Sequence, residues 1–255
     1  MTLPTSAAYL APLDLPLQTR LSAQTGRKDA FRAFEPESGL LSSSEPQIKL
    51  AAASRFGLRA LDLTIAFAAL VFFAPLMILI AIYVALSNGG GILYRQQRIG
   101  LGGKAFTCLK FRTMYSNGDE ILARHLANNP AACEEWRLTQ KLRNDPRVIP
   151  FGALLRKASL DELPQLFNVI GGTMSIVGPR PIVASETHRY GRYLQEYSRV
   201  RPGITGLWQV SGRNNTTYRR RIACDVAYVR TKSPLNDLRI IARTIPAVIL
   251  GKGAY

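Results

Sequence analysis

The chain has 255 residues and a formal net charge of +16, and 47% of its residues are hydrophobic. That apolar content excludes a disordered basic tail, and the length allows one or two domains with a buried core. So strong a positive charge indicates an anionic partner: nucleic acid, an anionic membrane surface or phosphorylated substrates. The three cysteines are far apart and form no C-x-x-C motif. The sequence therefore predicts neither a disulfide framework nor a zinc site, and it favours a reducing compartment.

The first 50 residues differ in composition from the rest of the chain. They are rich in Ser, Ala and Pro and show no sustained hydrophobic periodicity. We therefore expect residues 1–50 to form a disordered N-terminal tail. They do not resemble a signal peptide, because the apolar run begins far downstream of the place of an h-region.

A long apolar run occupies residues 60–86 and contains a single charged residue, Asp62. A helix of about 20 such residues is enough to cross a bilayer. Pro75 lies in the middle of the run, where proline removes a backbone hydrogen bond and bends a helix. Basic residues flank both ends, and the positive-inside rule then places both flanks in the cytoplasm. We expect residues 55–87 to form a re-entrant membrane helix broken at Pro75, with a straight spanning helix as the alternative.

Two strand-like runs follow, at residues 92–97 and 105–112, and a glycine-rich loop joins them. This pattern predicts a β-hairpin. Its loop matches neither the P-loop nor the dinucleotide-binding pattern. The alternation of side chains in the second strand places Lys110 and Arg112 on one face. Two cations on one face could bind a diphosphate, or they could form a solvated strand surface.

Two adjacent carboxylates, Asp161 and Glu162, occur in the segment SLDELPQLFN at residues 159–168. Ser159 and Glu162 have the spacing of a helix capping box, and Pro164 suits a first helical turn. We expect both carboxylates in the first turn of a short helix, where free N–H groups favour their ionised forms. An ionised carboxylate suits a nucleophile or a metal ligand, and helix capping alone is the alternative.

Further helices are expected at residues 119–126, 131–142, 217–230 and 235–250, and a buried strand at residues 175–177. The last helix is amphipathic and suits either a membrane surface or the core. Pro179 and Pro181 hold Arg180 in extended backbone, which suits bidentate contact with a phosphate, although a solvated turn is the alternative. Residues 201–213 form a glycine-punctuated loop rich in hydrogen-bond donors.

Four motifs occur in the order and spacing of a known family: KFRTM at residues 110–114, SLDELPQLFN at 159–168, SIVGPRP at 175–181 and RPGITG at 201–206. The chain resembles the bacterial sugar transferases, the monotopic phosphoglycosyl transferases, over about residues 55–250. It looks most like their exopolysaccharide-initiating undecaprenyl-phosphate galactose phosphotransferase type, from the segments at residues 142–147 and 206–214.

The resemblance implies an α+β, membrane-associated enzyme with a Pro-broken re-entrant helix and amphipathic surface helices. Residues 88–255 would form a catalytic domain on the cytoplasmic face of the inner membrane. The implied reaction moves a sugar 1-phosphate, galactose or glucose first, from a UDP-sugar to undecaprenyl phosphate and releases UMP. Asp161 matches the nucleophile that holds the sugar phosphate covalently, and Glu162 matches the ligand of a required Mg²⁺.

The predicted substrate-binding and phosphate-binding residues are Lys110, Arg112, Arg156, Arg180, Arg201 and Arg213, with Asp225 and Pro75 in supporting roles. From residue 87 onward there are 26 Lys and Arg residues against 11 Asp and Glu residues, a net charge of +15. The excess of positive charge therefore lies in the predicted catalytic part, where it would offset repulsion between two anionic substrates. Membrane lipid is an expected partner, and a homo-oligomer is left open.

Other functional classes fit the sequence less well. A membrane-associated glycosyltransferase that releases UDP would use the same donor, but the D-x-D metal motif common in such enzymes is missing from the sequence. A nucleic-acid-binding protein would explain the Arg219–Arg221 run but not the apolar run, so we expect no nucleic-acid partner. A hydrolase built on His125 or His188 lacks the G-x-S-x-G motif. The nucleotide product, UMP or UDP, separates the first two readings.

Overall fold

The computed structural model describes residues 52–88, 90–139, 141–211 and 217–249. The predicted tail and Arg213 lie outside the described residues. The described part mixes helices with two small sheets, as predicted for an α+β fold. The helices are α1 (Ala52–Asn88), α2 (Gly118–Asn128), α3 (Pro130–Thr139), α4 (Gly152–Lys157), α5 (Gln165–Ile170), α6 (Thr187–Tyr190), α7 (Leu194–Tyr197), α8 (Leu207–Val210), α9 (Tyr218–Thr231) and α10 (Pro234–Ile249). The strands are β1 (Leu93–Ile99), β2 (Ala105–Phe111), β3 (Ser175–Val177) and β4 (Gly203–Thr205).

Helix α1 is 37 residues long and remains helical through Pro75. Its section Phe56–Ser87 is long and apolar enough to cross a membrane, and most of its apolar stretch is exposed. Large side chains such as Phe72, 76% exposed, and Leu86, 83% exposed, form a face of a size that suits contact with lipid. Because the helical assignment is uninterrupted at Pro75, the re-entrant path stays a prediction.

Both halves of α1 contact the rest of the described structure. In the first half, Asp62 accepts hydrogen bonds from Ser175 Oγ at 2.8 Å and from the backbone N–H of Ile176 at 2.9 Å. In the second half, the hydroxyl of Tyr83 donates to the carbonyl oxygen of Pro150. The apolar side chains of that half pack in one core cluster with residues of β2, α4 and the loop before α4: Met77, Ile80, Val84, Phe111, Ile149 and Leu155.

Strands β1 and β2 form the predicted antiparallel hairpin. The 3₁₀ turn Leu101–Gly103 joins them, and Gly102 has a φ of 67°, in the left-handed region that glycine adopts without steric cost. The register pairs Tyr94 with Lys110 and Arg98 with Phe106. Facing partners share one side of the hairpin, so residues far apart in sequence meet on a common face.

The other sheet joins two of the sequence motifs. Strand β3 pairs in parallel with β4, with Ser175 opposite Gly203 and Val177 opposite Thr205. Immediately after β3, a Cβ atom on Gly178 would lie 2.5 Å from the carbonyl oxygen of Arg201, so a larger residue would force the two segments apart. The glycine permits this close backbone approach and so sets the position of the loop that carries Arg180.

A second apolar core cluster forms between the first half of α1, strand β2 and helices α5, α9 and α10. Its fully buried members include Ala66, Val169, Met174, Tyr228 and Ile240. Helix α10 buries Ile240 but exposes Leu235, Leu238 and Ile245 on its other side. It therefore has the apolar outer face expected of an amphipathic surface helix.

Candidate active site

The shared face of the β-hairpin forms one wall of an open cleft. The cross-strand register places Arg98, Cys108 and Lys110 on that face. The opposite wall comes from the acidic turn, from the loop after β3 and from the segment that includes β4 and α8. The lining residues are Arg98, Cys108, Lys110, Glu162, Gln165, Arg180, Pro181, Gly203, Ile204 and Gln209. Three cations and one carboxylate therefore line the cleft.

The lysine and the glutamate of the cleft form an ion pair. Lys110 Nζ donates to Glu162 Oε1 at 2.5 Å, and the two side chains are about a quarter exposed, 22% and 26%. This contact joins the β2 motif to the acidic motif across 52 positions of sequence. A charged pair held at the mouth of a cleft can exchange partners when a charged ligand enters.

The predicted capping box is wrong. The carboxylates lie in a 3₁₀ turn, Leu160–Glu162, and α5 begins after Pro164. Ser159 has a φ of 58° and makes no side-chain capping bond, and its backbone N–H donates to the carbonyl oxygen of Arg156 at 3.0 Å. That N–H is therefore not free for the Glu162 side chain, which pairs with Lys110. The N–H of Glu162 in turn donates to the carbonyl oxygen of Ser159 at 3.2 Å instead of to its hydroxyl, so neither half of the capping box forms.

Asp161 is buried, with 9% of its surface exposed, and it is not among the cleft-lining residues. Burial raises the pKa of Asp161 to about 6, because the charged form loses solvation. Lys110 and Arg156 act against this rise, and Glu162 adds to it. We expected the turn to favour the ionised carboxylate, but desolvation outweighs that effect. The group titrates just below neutral pH and is mostly ionised at pH 7.

Two polar side chains tie the acidic segment to the hairpin. The side chain of Asn168 accepts from the backbone N–H of Leu109 at 3.0 Å and donates to the carbonyl oxygen of Thr107 at 2.7 Å. It thus continues the hydrogen bonding of β2 on its free edge. Arg156 Nε donates to the buried Thr113 Oγ1 at 2.7 Å, which holds this guanidinium in the neighbourhood of Asp161. The two contacts set the acidic turn against the strand that carries Lys110.

The loop that carries Arg180 is held by a hydrogen bond to Asp225 of α9. The buried carboxylate of Asp225 accepts from Tyr190 Oη at 2.8 Å and from the backbone N–H of Arg180. Burial raises the pKa of Asp225 to about 7. Tyr197 Oη donates to the carbonyl oxygen of Arg180 at 3.1 Å. Both sides of the Arg180 peptide backbone are therefore held by buried polar groups.

The structure separates other predicted site residues from the cleft wall. The Arg112 guanidinium lies beside Gly90 and Gly91, just after the membrane helix. Arg201 Nε donates to the carbonyl oxygen of Gly172 at 2.7 Å. Pro75 lies inside α1. The predicted roles of these three residues stay predictions.

Among the cleft residues that the sequence analysis missed are Arg98, Gln165 and Gln209. Arg98 was counted only as a basic flank of the apolar run. Applying the two-residue alternation to β1 as well as β2 could have placed it on the face of Lys110. No local signal marks the two glutamines, because their position depends on how α5 and α8 pack.

A magnesium ion fits the residues at this site in one respect. The described residues contain no group of three or more His, Cys, Asp or Glu side chains that could hold a metal ion. Mg²⁺, however, is commonly held by one or two carboxylates, with waters and substrate phosphates supplying the remaining ligands. Glu162, a carboxylate that lines the cleft, meets that smaller requirement.

Comparisons with known proteins identify the family of the chain. The model of the bacterial sugar transferase family matches residues 53–251. The chain belongs to the bacterial sugar transferase family. This enzyme is 53% identical over 197 residues to the exopolysaccharide production protein ExoY of Sinorhizobium fredii, covering 77% of the chain and 87% of that relative.

Two relatives of the transferase carry names that state a reaction. It is 46% identical over 202 residues to the undecaprenyl-phosphate galactose phosphotransferase of Salmonella typhimurium, covering 79% of the chain but 42% of that relative. It is 40% identical over 205 residues to the UDP-glucose:undecaprenyl-phosphate glucose-1-phosphate transferase of Caulobacter vibrioides, covering 77% and 71%. The shared region in each case includes most of the described transferase.

Proposed function

We propose that this transferase moves a sugar 1-phosphate, galactose or glucose, from a UDP-sugar to undecaprenyl phosphate, releases UMP and so begins exopolysaccharide assembly. The names of its relatives support this donor and acceptor. The observation that carries the proposal is the cleft lined by Arg98, Lys110, Arg180 and Glu162, with the buried Asp161 next to Glu162 in the same 3₁₀ turn. Cations around carboxylates are the arrangement that a reaction between a carboxylate and a diphosphate needs.

The chemistry follows from the groups present. The Asp161 carboxylate attacks the β-phosphorus of the UDP-sugar, and the bond from that phosphorus to the oxygen bridging the two phosphates breaks, so UMP leaves. A phosphate oxygen of undecaprenyl phosphate then attacks the same phosphorus, and the Asp161 carboxylate leaves. Two transfers through a covalent intermediate replace one direct reaction between two anions.

The cleft cations have separate tasks in this scheme. Arg180 and Arg98 can offset the charge that develops on the departing phosphate. Lys110 is close enough to Asp161 to lower its pKa, and its ion pair with Glu162 must open to admit a phosphate. Arg156, held by Thr113, favours the ionised form of the nucleophile.

A magnesium cofactor is part of the proposal. Glu162 would hold the ion. When bound, Mg²⁺ supplies Lewis-acid stabilisation of the diphosphate oxygens. Asp225 supports the site through the backbone of Arg180.

The transferase is proposed to be monotopic, with its catalytic part on the cytoplasmic face of the inner membrane. Arg59 near one end of α1 donates to the carbonyl oxygen of Val169 at 2.8 Å, and Tyr83 near the other end contacts Pro150. Two ends of one helix that touch a single catalytic body favour entry and return on the same side over a complete crossing. Pro75 marks the place where such a helix would bend.

The alternative is a glycosyltransferase that moves the sugar without its phosphate and releases UDP. Both reactions consume the same donor, so donor binding does not separate them. The nucleotide product does: UMP supports our proposal, and UDP supports the alternative. The purified full chain, assayed with UDP-galactose, UDP-glucose, undecaprenyl phosphate and Mg²⁺, gives that product directly.

The covalent step has a sharper test. With UDP-sugar and Mg²⁺ but without lipid, the wild-type protein should release about one UMP per chain and gain a sugar-phosphate adduct on the peptide containing Asp161. Asp161→Asn keeps the shape of the side chain but removes its nucleophilic charge, so both the adduct and turnover should vanish. Glu162→Gln should instead raise the Mg²⁺ concentration required and slow adduct formation.

Asp119→Asn is the matched control, because it makes the same substitution on the exposed surface of α2. It should leave the adduct and turnover unchanged. Normal turnover of Asp161→Asn would remove the covalent mechanism, as would kinetics in which both substrates must bind before UMP leaves.

A further inference from the structure

The side chain of Arg180 is held differently from its backbone. Its backbone is fixed by the two flanking prolines, by Asp225 and by Tyr197. Its guanidinium makes no hydrogen bond or ion pair with any described residue. What it does contact is an aromatic ring: the guanidinium carbon lies over Trp208, 5.1 Å from the ring centroid.

The ring of Trp208 is well placed to act as a platform. It is buried, 5% exposed, in the short helix α8 that also brings Gln209 to the cleft. Its other cation contact is with Arg221 of α9, at 5.5 Å from the ring centroid. Arg221 lies in turn 4.4 Å from the ring centroid of Tyr218. Packing against α9 therefore limits movement of the ring.

Arg180 has a second cation, Arg98, as a neighbour in the cleft. Arg98 also lines the cleft, and the two guanidinium groups repel each other, which together with burial lowers the pKa of Arg98. Arg98 is held by the carbonyl oxygen of Pro181 at 2.9 Å and by the side-chain oxygen of Gln96. Arg180 is therefore the partner free to move away.

We propose that Trp208 is a positioning residue for the transferase reaction: its ring fixes the plane of the Arg180 guanidinium while leaving the N–H groups of that arginine for the phosphates of the donor. Stacking uses the face of a guanidinium and leaves its hydrogen-bonding edge available. A hydrogen-bonded carboxylate in the same place would instead occupy that edge. The inference rests on the proposed function, because it assumes that Arg180 binds the donor diphosphate.

The test is a double-mutant cycle on the full chain in detergent with Mg²⁺, with UMP release from UDP-galactose and UDP-glucose as the readout. We expect Trp208→Leu to raise KM for the donor about tenfold, or about 1.4 kcal/mol, which lies between the values of an exposed and a desolvated cation–π contact. Trp208→Phe keeps an aromatic face and should recover most of that loss. In an Arg180→Gln background, Trp208→Leu should cause little further change, because the group that it positions is gone.

Tyr193→Leu is the matched control. Arg192 lies 5.0 Å from the ring centroid of Tyr193, and neither residue lines the cleft, so its KM should stay at the wild-type value. Equal losses from Trp208→Leu with and without Arg180 would overturn the inference, as would an unchanged KM. Wild-type protein that releases no UMP would contradict the proposed function instead.

A second measurement needs no change at Trp208. The chain has two tryptophans, so Trp136→Phe leaves Trp208 as the fluorophore. Adding Arg180→Gln should shift its emission, because a stacked cation is removed, while adding Arg192→Gln should not. An emission spectrum unaffected by Arg180→Gln would overturn the stacking even if Trp208→Leu failed to fold.

Discussion

Two adjacent carboxylates of this transferase have different environments. Glu162 faces the cleft and is neutralised by Lys110, whereas Asp161 is buried beside it, with a pKa raised to about 6. The difference comes from packing: Glu162 lines the cleft, and Asp161 is covered by the surrounding residues. In the proposed reaction, Glu162 exchanges its partner when a phosphate enters, and Asp161 is the nucleophile.

The raised pKa of Asp161 predicts an acid limb in the activity. The nucleophile must be ionised, so kcat/KM should fall about tenfold per pH unit as the pH drops below about 6. Lys110→Met removes a cation that lowers the pKa of Asp161, so the acid limb should move to higher pH. The maximal kcat/KM should fall as well. The measurement is kcat/KM for UMP release between pH 4.5 and 8.

Lys157→Met serves as the control for that profile, since Lys157 is exposed in α4. Its acid limb should coincide with that of the wild type. A wild-type limb near pH 4, the range of an ordinary aspartate, would contradict the assignment of the limb to Asp161.

At the scale of elements, the apolar helix α1 is joined to the rest of the described structure by a polar contact within an otherwise apolar run. Asp62 is the acidic residue of α1, and it is buried where it meets β3. Its carboxylate accepts a hydrogen bond from Ser175 Oγ at 2.8 Å and another from the backbone N–H of Ile176 at 2.9 Å. A buried carboxylate needs such donors, and so it specifies which turn of α1 contacts the sheet.

Asp62→Ala should therefore destabilise the transferase. It leaves the Ser175 hydroxyl and the Ile176 N–H buried without their acceptor, a cost of about 1–3 kcal/mol. We expect thermal unfolding in detergent to shift down by several degrees, on the order of 2–4 °C per kcal/mol for a chain of this size. Ser175→Ala removes one of the two donors and should cost less.

Asp62→Asn retains an acceptor oxygen and should fall between the other two variants. Partition into membranes should stay unchanged in all three, because the exposed apolar face of α1 is untouched. An unfolding temperature of Asp62→Ala equal to that of the wild type would show that the hydrogen bonds of Asp62 do not stabilise the protein.

At the scale of the whole molecule, the unburied apolar surface is concentrated on α1, with further exposed apolar side chains on α4 and α10. Phe67 and Ile78 of α1 are 64% and 59% exposed, and Leu154 and Leu235 are each 58% exposed. Phosphoryl transfer to a lipid needs the cleft near the membrane surface, where the lipid phosphate lies. Membrane association through α1 and surface helices would meet that requirement.

The proposed topology, with both ends of α1 on the cytoplasmic side, predicts a labelling pattern. In a chain freed of its three cysteines, new cysteines at Arg55 and Arg95 should both react with an impermeant maleimide only in inverted vesicles. Arg124→Cys, exposed on α2, marks the cytoplasmic side as the control. Reaction of the Arg55 position in intact spheroplasts would mean that α1 crosses the membrane. Pro75→Leu should favour that straight path and reduce activity.

Much of the local structure could be predicted because it follows from short-range periodicity. The apolar run, the hairpin with its glycine turn and the buried strand at residues 175–177 lie within a few residues of their predicted places. The four motifs, read in order, were enough for the family. The capping box failed because Ser159 adopts a left-handed backbone conformation and Glu162 finds a partner 52 positions away, neither of which has a local signal.

The sequence by itself therefore determined the elements, the family and the identity of the candidate nucleophile, since each depends on residue types at near spacing. The tertiary structure decided which charged groups meet. Asp161 is buried and Arg98 lines the cleft, whereas Arg112 lies beside the glycine linker. It also decided that Trp208 stacks on Arg180. Burial, and with it the pKa of a buried group, depends on packing between segments that are far apart in the chain. Whether a charged group loses its solvation is therefore decided only in the folded protein.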